Sequence, residues 1–186
     1  QLANPANPQT HYRTTGPEIW RDTDGVVDAF VAGVGTGGTI SGAGRFLREK
    51  NPEIWLAISE PDVSTLPTDE NPNPPEIDGV HHVTEAEPQQ LPQNFDRNIV
   101  DEIIPLSPKQ AAATARALAR EEGLLAGTSA GATLYAASEI ARRPDFAGKT
   151  IVAVLPDSGE RYLNAAAFLA AAETVDHKEG AERETA

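Results

Sequence analysis

The chain has 186 residues and a formal net charge of −13, and it contains no cysteine. This length suits one domain with a hydrophobic core, and the lack of cysteine excludes disulfides, thiolate metal sites and cysteine nucleophiles. Proteins that bind nucleic acids or anionic membranes carry basic faces, so the acidity argues against both, and no apolar run is long enough to span a bilayer.

Methionine is also absent, and the chain begins with Gln1. Translation starts with methionine, and removal of that residue normally requires a small residue after it. We therefore expect this chain to be the C-terminal portion of a longer protein, whose missing N-terminal portion takes part in the function.

The first elements are predicted from composition and periodicity. Residues Gln1–Arg13 are rich in Asn, Pro and Gln and are typical of a loop. A short helix is expected to follow, with Thr15 as its cap and Pro17 and Glu18 in its first turn. An apolar run at Val26–Val34 predicts a buried strand. A helix is expected over Thr39–Lys50, followed by a second strand at Ile54–Ser59.

A long polar segment, Glu60–Arg97, follows and contains many Pro, Asn and Asp residues. It is too long for an ordinary connection, so we expect either a functional loop or a mobile insertion. Regular structure then resumes as a strand (100–106), a helix (108–122) capped by Ser107 and ended by Gly123, a strand (124–126), a helix (130–143), a strand (150–155) and a helix (about 164–172).

This alternation of strands and helices predicts an α/β fold. Apolar strands separated by helices indicate a mostly parallel, twisted sheet with helices on both faces. We expect one α/β domain over residues 1–172 and a polar C-terminal tail at 173–186.

The turn between the first strand and its helix, Gly33–Thr39, contains four glycines and two threonines. Glycines let the backbone turn tightly and approach a ligand, and the first turn of a helix offers unpaired N–H groups and a positive dipole end. The hydroxyls of Thr36 and Thr39 add further donors. The turn therefore predicts an anion site, with phosphate as the expected group.

The same glycines leave a nicotinamide-dinucleotide (NAD) module open as an alternative. Gly33, Gly35 and Gly38 have the spacing of the dinucleotide fingerprint, and Glu60 ends the next strand. This alternative requires an accessible carboxylate at Glu60 to hold the ribose, and Pro61 follows that residue directly.

A second motif, Gly127–Gly131, lies at another strand-to-helix turn and matches the nucleophile-elbow pattern of hydrolases. A triad of Ser129, Asp157 and His177 can be written in chain order. His177, however, lies in the polar tail, where nothing would hold it in position. We favour a turn that lines a pocket.

The third motif, Leu155–Tyr162, follows the last strand. Ligands of open α/β sheets bind at the carboxyl ends of the strands, and all three motifs lie at such ends. We therefore predict one composite pocket. Asp157 and Arg161 are expected to form a local ion pair, and the histidines show no metal-binding spacing with a third ligand, so no metal site is predicted.

Taken together, these motifs resemble the second half of cysteine synthase (O-acetylserine sulfhydrylase). That enzyme belongs, with cystathionine β-synthase, to the fold-type II pyridoxal-phosphate enzymes. The resemblance runs in one register over most of the chain up to Leu163. It is carried by the segments Asn4–Pro8, Thr14–Trp20, Val31–Thr39, Gly127–Ala132 and Leu155–Leu163.

The resemblance implies site residues. In the family a Gly-Thr-Gly-Gly-Thr loop holds the phosphate of pyridoxal phosphate, a serine after Pro-Asp faces the pyridine nitrogen, and the Gly-x-Ser-x-Gly turn lines the pocket. The serine corresponds to Ser158, and the turn implicates Gly127 and Ser129. The phosphate-loop residues are Gly35, Thr36, Gly37, Gly38 and Thr39.

The family's Schiff-base lysine and the loop that grips the substrate carboxylate lie in its first half. No lysine of this chain stands in the lysine motif, so no catalytic residue is expected here; the four lysines are Lys50, Lys109, Lys149 and Lys178. After Asp78-Gly79 the chain also departs from the family, because Val80-His81-His82 replaces the usual Gly-Ile-Gly segment near the active-site mouth.

The resemblance implies a β-replacement that forms cysteine from O-acetylserine and sulfide with pyridoxal phosphate as cofactor. It further implies a cytoplasmic homodimer whose ligands are an amino-acid substrate and a sulfur nucleophile. The alternatives are cystathionine β-synthase, which uses homocysteine, and a non-catalytic truncated paralogue. A lysine in the family motif upstream would favour an enzyme, and its absence would favour the paralogue.

Overall fold

The computed structural model describes residues 1–162, and it begins with two short helices, α1 (Ala6–Arg13) and α2 (Thr15–Asp22). The predicted loop at 1–13 is wrong, because α1 is helical. Its residues are polar and none is buried, so no apolar periodicity marks it in the sequence. The predicted helix is present as α2, but the predicted cap at Thr15 is wrong: Thr15 is the first helical residue, and Thr14 at the capping position makes no side-chain capping hydrogen bond.

Within residues 1–162, four parallel strands form the sheet: β1 (Ala29–Gly33), β2 (Trp55–Pro61), β3 (Glu102–Leu106) and β4 (Ile151–Ala153). Their order is β3-β2-β1-β4, so the first strand lies inside the sheet and later strands are added on both sides of it. The predicted parallel α/β sheet is confirmed; β1, β3 and β4 are shorter than the predicted strands, and β2 extends two residues further, to Pro61.

Within the described residues, two of the longer helices, α3 (Gly38–Lys50) and α5 (Thr128–Ala141), pack on the sheet, and α4 (Pro108–Glu122) packs mainly against α5. Phe30 of β1 packs in a core cluster with α3, whereas its neighbour Val31 packs in a second cluster with α5. Successive strand residues point to opposite faces, so α3 and α5 lie on opposite sides of the sheet, as predicted.

Helix α4 has the predicted ends. Ser107 and Gln110 form a capping box, and Gly123 ends the helix with φ +70°. The predicted strand at 124–126 is not part of the sheet; Ala126 instead forms an isolated antiparallel bridge with Ser158. The predicted helix at 164–172 and the tail at 173–186 lie outside the described residues.

The segment from 62 to 97 is irregular apart from short 3₁₀ turns at Val63–Thr65 and Arg97–Ile99. It is nonetheless tied to the sheet by apolar side chains that are buried, namely Ile77, Val80, Val83 and Phe95. None of the helices within residues 1–162 has the length and apolar character needed to cross a membrane.

Candidate functional site

The glycine-rich turn lies between the carboxyl end of β1 and the start of α3. Gly37 has φ +78°, which L side chains rarely adopt, and a Cβ on it would lie 2.4 Å from Cβ of Phe95. Gly35 lies against the backbone carbonyl of Gly79, 2.9 Å from where its Cβ would be. Glycine is therefore required for the shape of this turn.

The turn presents hydrogen-bond donors and no carboxylate. The first N–H groups of α3 have no acceptor within the helix, and the positive end of the helix dipole lies at the same place. The Thr36 hydroxyl accepts from Asn7 Nδ2 at 3.0 Å, and the Thr39 hydroxyl lies 3.3 Å from His11 Nε2. This set of donors fits a phosphate group.

A cavity of about 730 Å³ opens beside the turn, a volume in the usual range for small-molecule sites. All three sequence motifs contribute to it, as predicted, because each follows the carboxyl end of a strand or starts a helix there. Its lining includes Gly33, Gly35, Thr39, Asp78, Gly79, Ser129, Asp157, Arg161 and Tyr162. Thr36, Gly37 and Gly38 lie between the lining residues Gly35 and Thr39 in the same turn.

Asp157 and Tyr162 form a polar wall of the cavity. The Tyr162 hydroxyl donates to Asp157 Oδ2 at 2.6 Å and lies 3.2 Å from Asp78 Oδ2. The hydrogen bond to Asp157 raises the pKa of Tyr162 well above its ordinary value. The predicted Asp157–Arg161 ion pair is wrong, since no such pair is found within residues 1–162.

One oxygen of this wall has no partner. Asp157 Oδ1 is buried without a hydrogen bond among the described residues, and so is Ser59 Oγ at the end of β2. A buried acceptor without a donor costs free energy unless a ligand or water satisfies it. The cavity therefore has room and hydrogen-bonding capacity for a polar ligand.

The two serines from the sequence motifs differ in position. Ser129 is 7% exposed in the first turn of α5 and lines the cavity. Ser158 is exposed, and its hydroxyl donates to Glu160. Contact of Ser158 with a pyridine nitrogen thus stays a prediction, as does a role for Gly127, which precedes α5.

The alternative functions meet specific obstacles. Glu60 is only 5% exposed, and its Oε2 accepts from the backbone N–H groups of Val83 and Thr84, so the accessible carboxylate required by the dinucleotide alternative is not there. The hydrolase triad stays an untested alternative, because His177 lies outside the described residues. Residues 1–162 also hold no group of three or more His, Cys, Asp or Glu side chains that could bind a metal ion.

Several residues at the site were missed by the sequence analysis. Asn7 and His11 reach the turn from α1, which was predicted as loop, and nothing in their local pattern indicates this. Asp78 and Tyr162 were noted only within motifs. Their contact joins positions 84 residues apart, which local sequence signals do not reveal.

A family model and the curated relatives point to the same enzyme family. A family model described as "Pyridoxal-phosphate dependent enzyme" matches residues 1–157. Cysteine synthase A of Escherichia coli (strain K12) is 44% identical over 90% of this chain and 53% of its own length. Cysteine synthase 3 of Caenorhabditis elegans is 44% identical over 88% of this chain and 47% of its own length.

Solved structures agree with the sequence relatives. A cysteine synthase from Entamoeba histolytica matches with a TM-score of 0.78 at 35% identity. The match covers 90% of this chain and 47% of the Entamoeba chain. An O-ureido-L-serine synthase, solved with O-ureido-L-serine bound, matches with a TM-score of 0.81 at 37% identity. The match covers 100% of this chain and 56% of the synthase chain.

The chain spans about half the length of the curated relatives it matches. The family model nevertheless covers the sheet, the glycine-rich turn and the cavity wall up to Asp157. The resemblance to cysteine synthase in the sequence is confirmed by these relatives, and the chain belongs to the pyridoxal-phosphate-dependent enzymes.

Proposed function

We propose that this chain supplies the cofactor-binding part of an enzyme that forms cysteine from O-acetylserine and sulfide. The observation that carries the proposal is the glycine-rich turn of Gly35–Thr39, which presents helix N–H groups and threonine hydroxyls beside a cavity. These residues would hold the cofactor phosphate. The proposal concerns an enzyme that also contains the half of the relatives that this chain does not match.

The cofactor and the protein have separate tasks. When bound, pyridoxal phosphate acts as an electron sink for chemistry at the α-carbon of an amino acid. The chain's own residues bind and orient it: the turn holds the phosphate, Ser129 borders the cavity, and Ser158 would approach the pyridine nitrogen after turning away from Glu160. The lysine that joins the cofactor is expected outside this chain.

The sulfur nucleophile is supported by the relatives, which are cysteine synthases. The similarity to O-ureido-L-serine synthase supports a second candidate, since that protein's name describes a different substituent on the serine side chain. Cystathionine synthesis and a non-catalytic paralogue also remain as alternatives. The proposed enzyme is a cytoplasmic homodimer, as the resemblance implies.

The experiment measures the amino-acid product formed by the full-length protein loaded with pyridoxal phosphate. O-acetylserine is supplied with sulfide, and homocysteine replaces sulfide in a parallel reaction. We expect cysteine as the main product, at a rate that exceeds cystathionine formation at least about tenfold, a difference of about 1.4 kcal/mol in activation free energy.

The other outcomes separate the alternatives. Faster cystathionine formation would identify a cystathionine β-synthase. If neither sulfur nucleophile gives a product, a third reaction supplies a nucleophile without sulfur. Product formation in that reaction alone would favour a relative of the O-ureido-L-serine synthase. A protein that binds the cofactor and forms no product would be the non-catalytic paralogue.

A further inference from the structure

Helix α1 lies beside the start of α3, and two of its polar side chains point at the glycine-rich turn. Asn7 and His11 are four residues apart and therefore share one face of the helix. Asn7 contacts the hydroxyl of Thr36, and His11 contacts the hydroxyl of Thr39. Each side chain thus touches one of the two threonines that we propose as phosphate ligands.

Asn7 determines what the Thr36 hydroxyl can do. Its Nδ2 donates to Thr36 Oγ1 at 3.0 Å, and the backbone N–H of Gly38 donates to the same oxygen at 3.3 Å. A hydroxyl has two lone pairs and one proton. With both lone pairs occupied, the Thr36 hydroxyl can form a further hydrogen bond only by donating its proton.

The approach of Asn7 also depends on the glycine that follows Thr36 in the turn. A Cβ on Gly38 would lie 1.9 Å from Asn7 Oδ1, so only glycine leaves room for this amide. Helix α1 and the turn therefore fit together at a polar contact that requires glycine at position 38.

His11 occupies the equivalent place at Thr39. Its Nδ1 lies 2.9 Å from the Thr15 hydroxyl and its Nε2 lies 3.3 Å from the Thr39 hydroxyl. Burial lowers the pKa of the ring, so the ring is neutral near neutral pH and carries a single N–H. The two threonines then determine which nitrogen holds that proton.

The two tautomers have opposite effects on Thr39. If Nε2 carries the proton, it donates to Thr39 Oγ1, Thr15 donates to Nδ1, and the Thr39 proton is free for a ligand in the cavity that Thr39 lines. If Nδ1 carries the proton, Thr39 donates to His11 and has no proton left for an anion. A bound anion would favour the first arrangement.

We infer that Asn7 and His11 are positioning residues that make the Thr36 and Thr39 hydroxyls donors to the cofactor phosphate. The inference rests on the proposed function, since it assumes a phosphate at this turn. It assigns to α1 a role in cofactor affinity that is separate from its contribution to folding.

The test uses the full-length protein and two probes that cannot form a Schiff base with lysine. The probes are pyridoxine phosphate and pyridoxine. Dissociation constants are measured for Asn7→Leu, Thr36→Val and the double variant, and phosphorus NMR reports on the bound phosphate. We expect each single variant to bind pyridoxine phosphate about fivefold to tenfold more weakly, and the affinity for pyridoxine to stay unchanged. The double variant should bind as Thr36→Val does, within about twofold, because both changes remove one coupled interaction.

His11 is tested with a matched pair of substitutions. His11→Gln retains an amide N–H that can reach Thr39, whereas His11→Leu retains the size and lacks the donor. We expect His11→Gln to keep the phosphate affinity within about threefold and His11→Leu to lose about fivefold or more. Thermal unfolding is measured for every variant, and Asn7→Ala replaces Asn7→Leu if the latter does not fold.

The outcomes distinguish this inference from the proposed function. If the unchanged chain does not bind pyridoxine phosphate more tightly than pyridoxine, or if Thr36→Val and Thr39→Val have no effect, the phosphate site itself is contradicted. If the threonine variants lose affinity while the Asn7 and His11 variants keep it, only the positioning role is overturned. Additive losses in the double variant would also overturn it.

Discussion

At the scale of single residues, Glu102 connects three parts of the fold through its carboxylate. It accepts two hydrogen bonds from Arg143, at 2.7 and 2.6 Å, and one from Trp55 Nε1 at 3.0 Å. The bonds from Arg143 lower the pKa of Glu102. A carboxyl group whose pKa is lower in the folded state stabilises the protein above its ordinary pKa of 4.5 and loses that contribution as the pH falls through the folded-state pKa.

We therefore expect Glu102→Gln to reduce the free energy of unfolding by about 1 kcal/mol at neutral pH. The deficit should shrink towards zero between about pH 4.5 and the lower folded-state pKa, because the native carboxylate becomes protonated there. Urea unfolding at several pH values measures this, with Glu139→Gln as the control, since Glu139 pairs with Arg142 at the surface. A deficit that is the same at every pH would contradict the role of the charge.

Some site residues could be predicted from sequence and others could not. The turn at Gly35–Thr39 was found because several glycines and threonines lie between a strand and a helix, which is a local signal. Asn7 and His11 were not found, because their importance depends on a contact between α1 and α3 that local sequence does not encode. The position of Tyr162 was not predicted for the same reason, since its contact with Asp78 joins residues that are far apart in sequence.

At the scale of elements, the contact between α4 and α5 depends on close backbone approach. A Cβ on Gly131 would lie 2.1 Å from the backbone oxygen of Ala111 and 2.9 Å from the backbone nitrogen of Ala115. Backbone atoms cannot move aside without shifting a helix. We expect Gly131→Ala to destabilise the protein by about 1–3 kcal/mol, measured by urea unfolding.

Gly44→Ala is the matched control on α3. Its Cβ would meet only side-chain ends, with Leu56 Cδ1 at 3.2 Å, and alanine has the higher helix propensity. We expect a change within about 1 kcal/mol. Equal losses in the two variants would mean that the α4–α5 contact is not limited by backbone approach.

The segment 62–97 is held at defined points between its exposed stretches. The N–H of His81 donates to the carbonyl of Val34, and Glu60 accepts from the N–H groups of Val83 and Thr84. We expect slow hydrogen exchange at 81–84 and fast exchange at 69–76, which is mostly exposed. Uniform exchange along the segment, fast or slow, would contradict this pattern of anchoring.

The elements with strong local signals were predicted and those without were not. Helix α4 was predicted with both ends because Ser107 and Gly123 are strong cap residues. Helix α1 was missed because its side chains are polar and its stability depends on packing against α3. The anchors of segment 62–97 were missed because isolated apolar residues such as Ile77 and Val83 show no periodicity.

At the scale of the whole molecule, the location of the cavity follows from topology. Parallel strands end on the same edge of the sheet, so motifs that follow β1 and β4 meet there although they are far apart in sequence. This arrangement was predictable once the strands were recognised. The positions of the individual serines were not predictable, because local sequence does not show that Ser129 is buried and Ser158 is exposed.

The central claim is that the glycine-rich turn holds the cofactor phosphate, and Gly37 tests it most directly. In Gly37→Ala the new Cβ would collide with Phe95 at a position with φ +78°, so the turn must change shape. Gly148→Ala is the control, because Gly148 has φ +75° and no atom near its Cβ position. Each variant is titrated with pyridoxine phosphate and with pyridoxine.

We expect Gly37→Ala to bind pyridoxine phosphate about tenfold to a hundredfold more weakly. This loss corresponds to at least one hydrogen bond to the charged phosphate. Pyridoxine binding should change little, and Gly148→Ala should match the unchanged chain with both probes. Equal affinity of Gly37→Ala and Gly148→Ala for pyridoxine phosphate would show that the turn has only a structural role and would contradict the account.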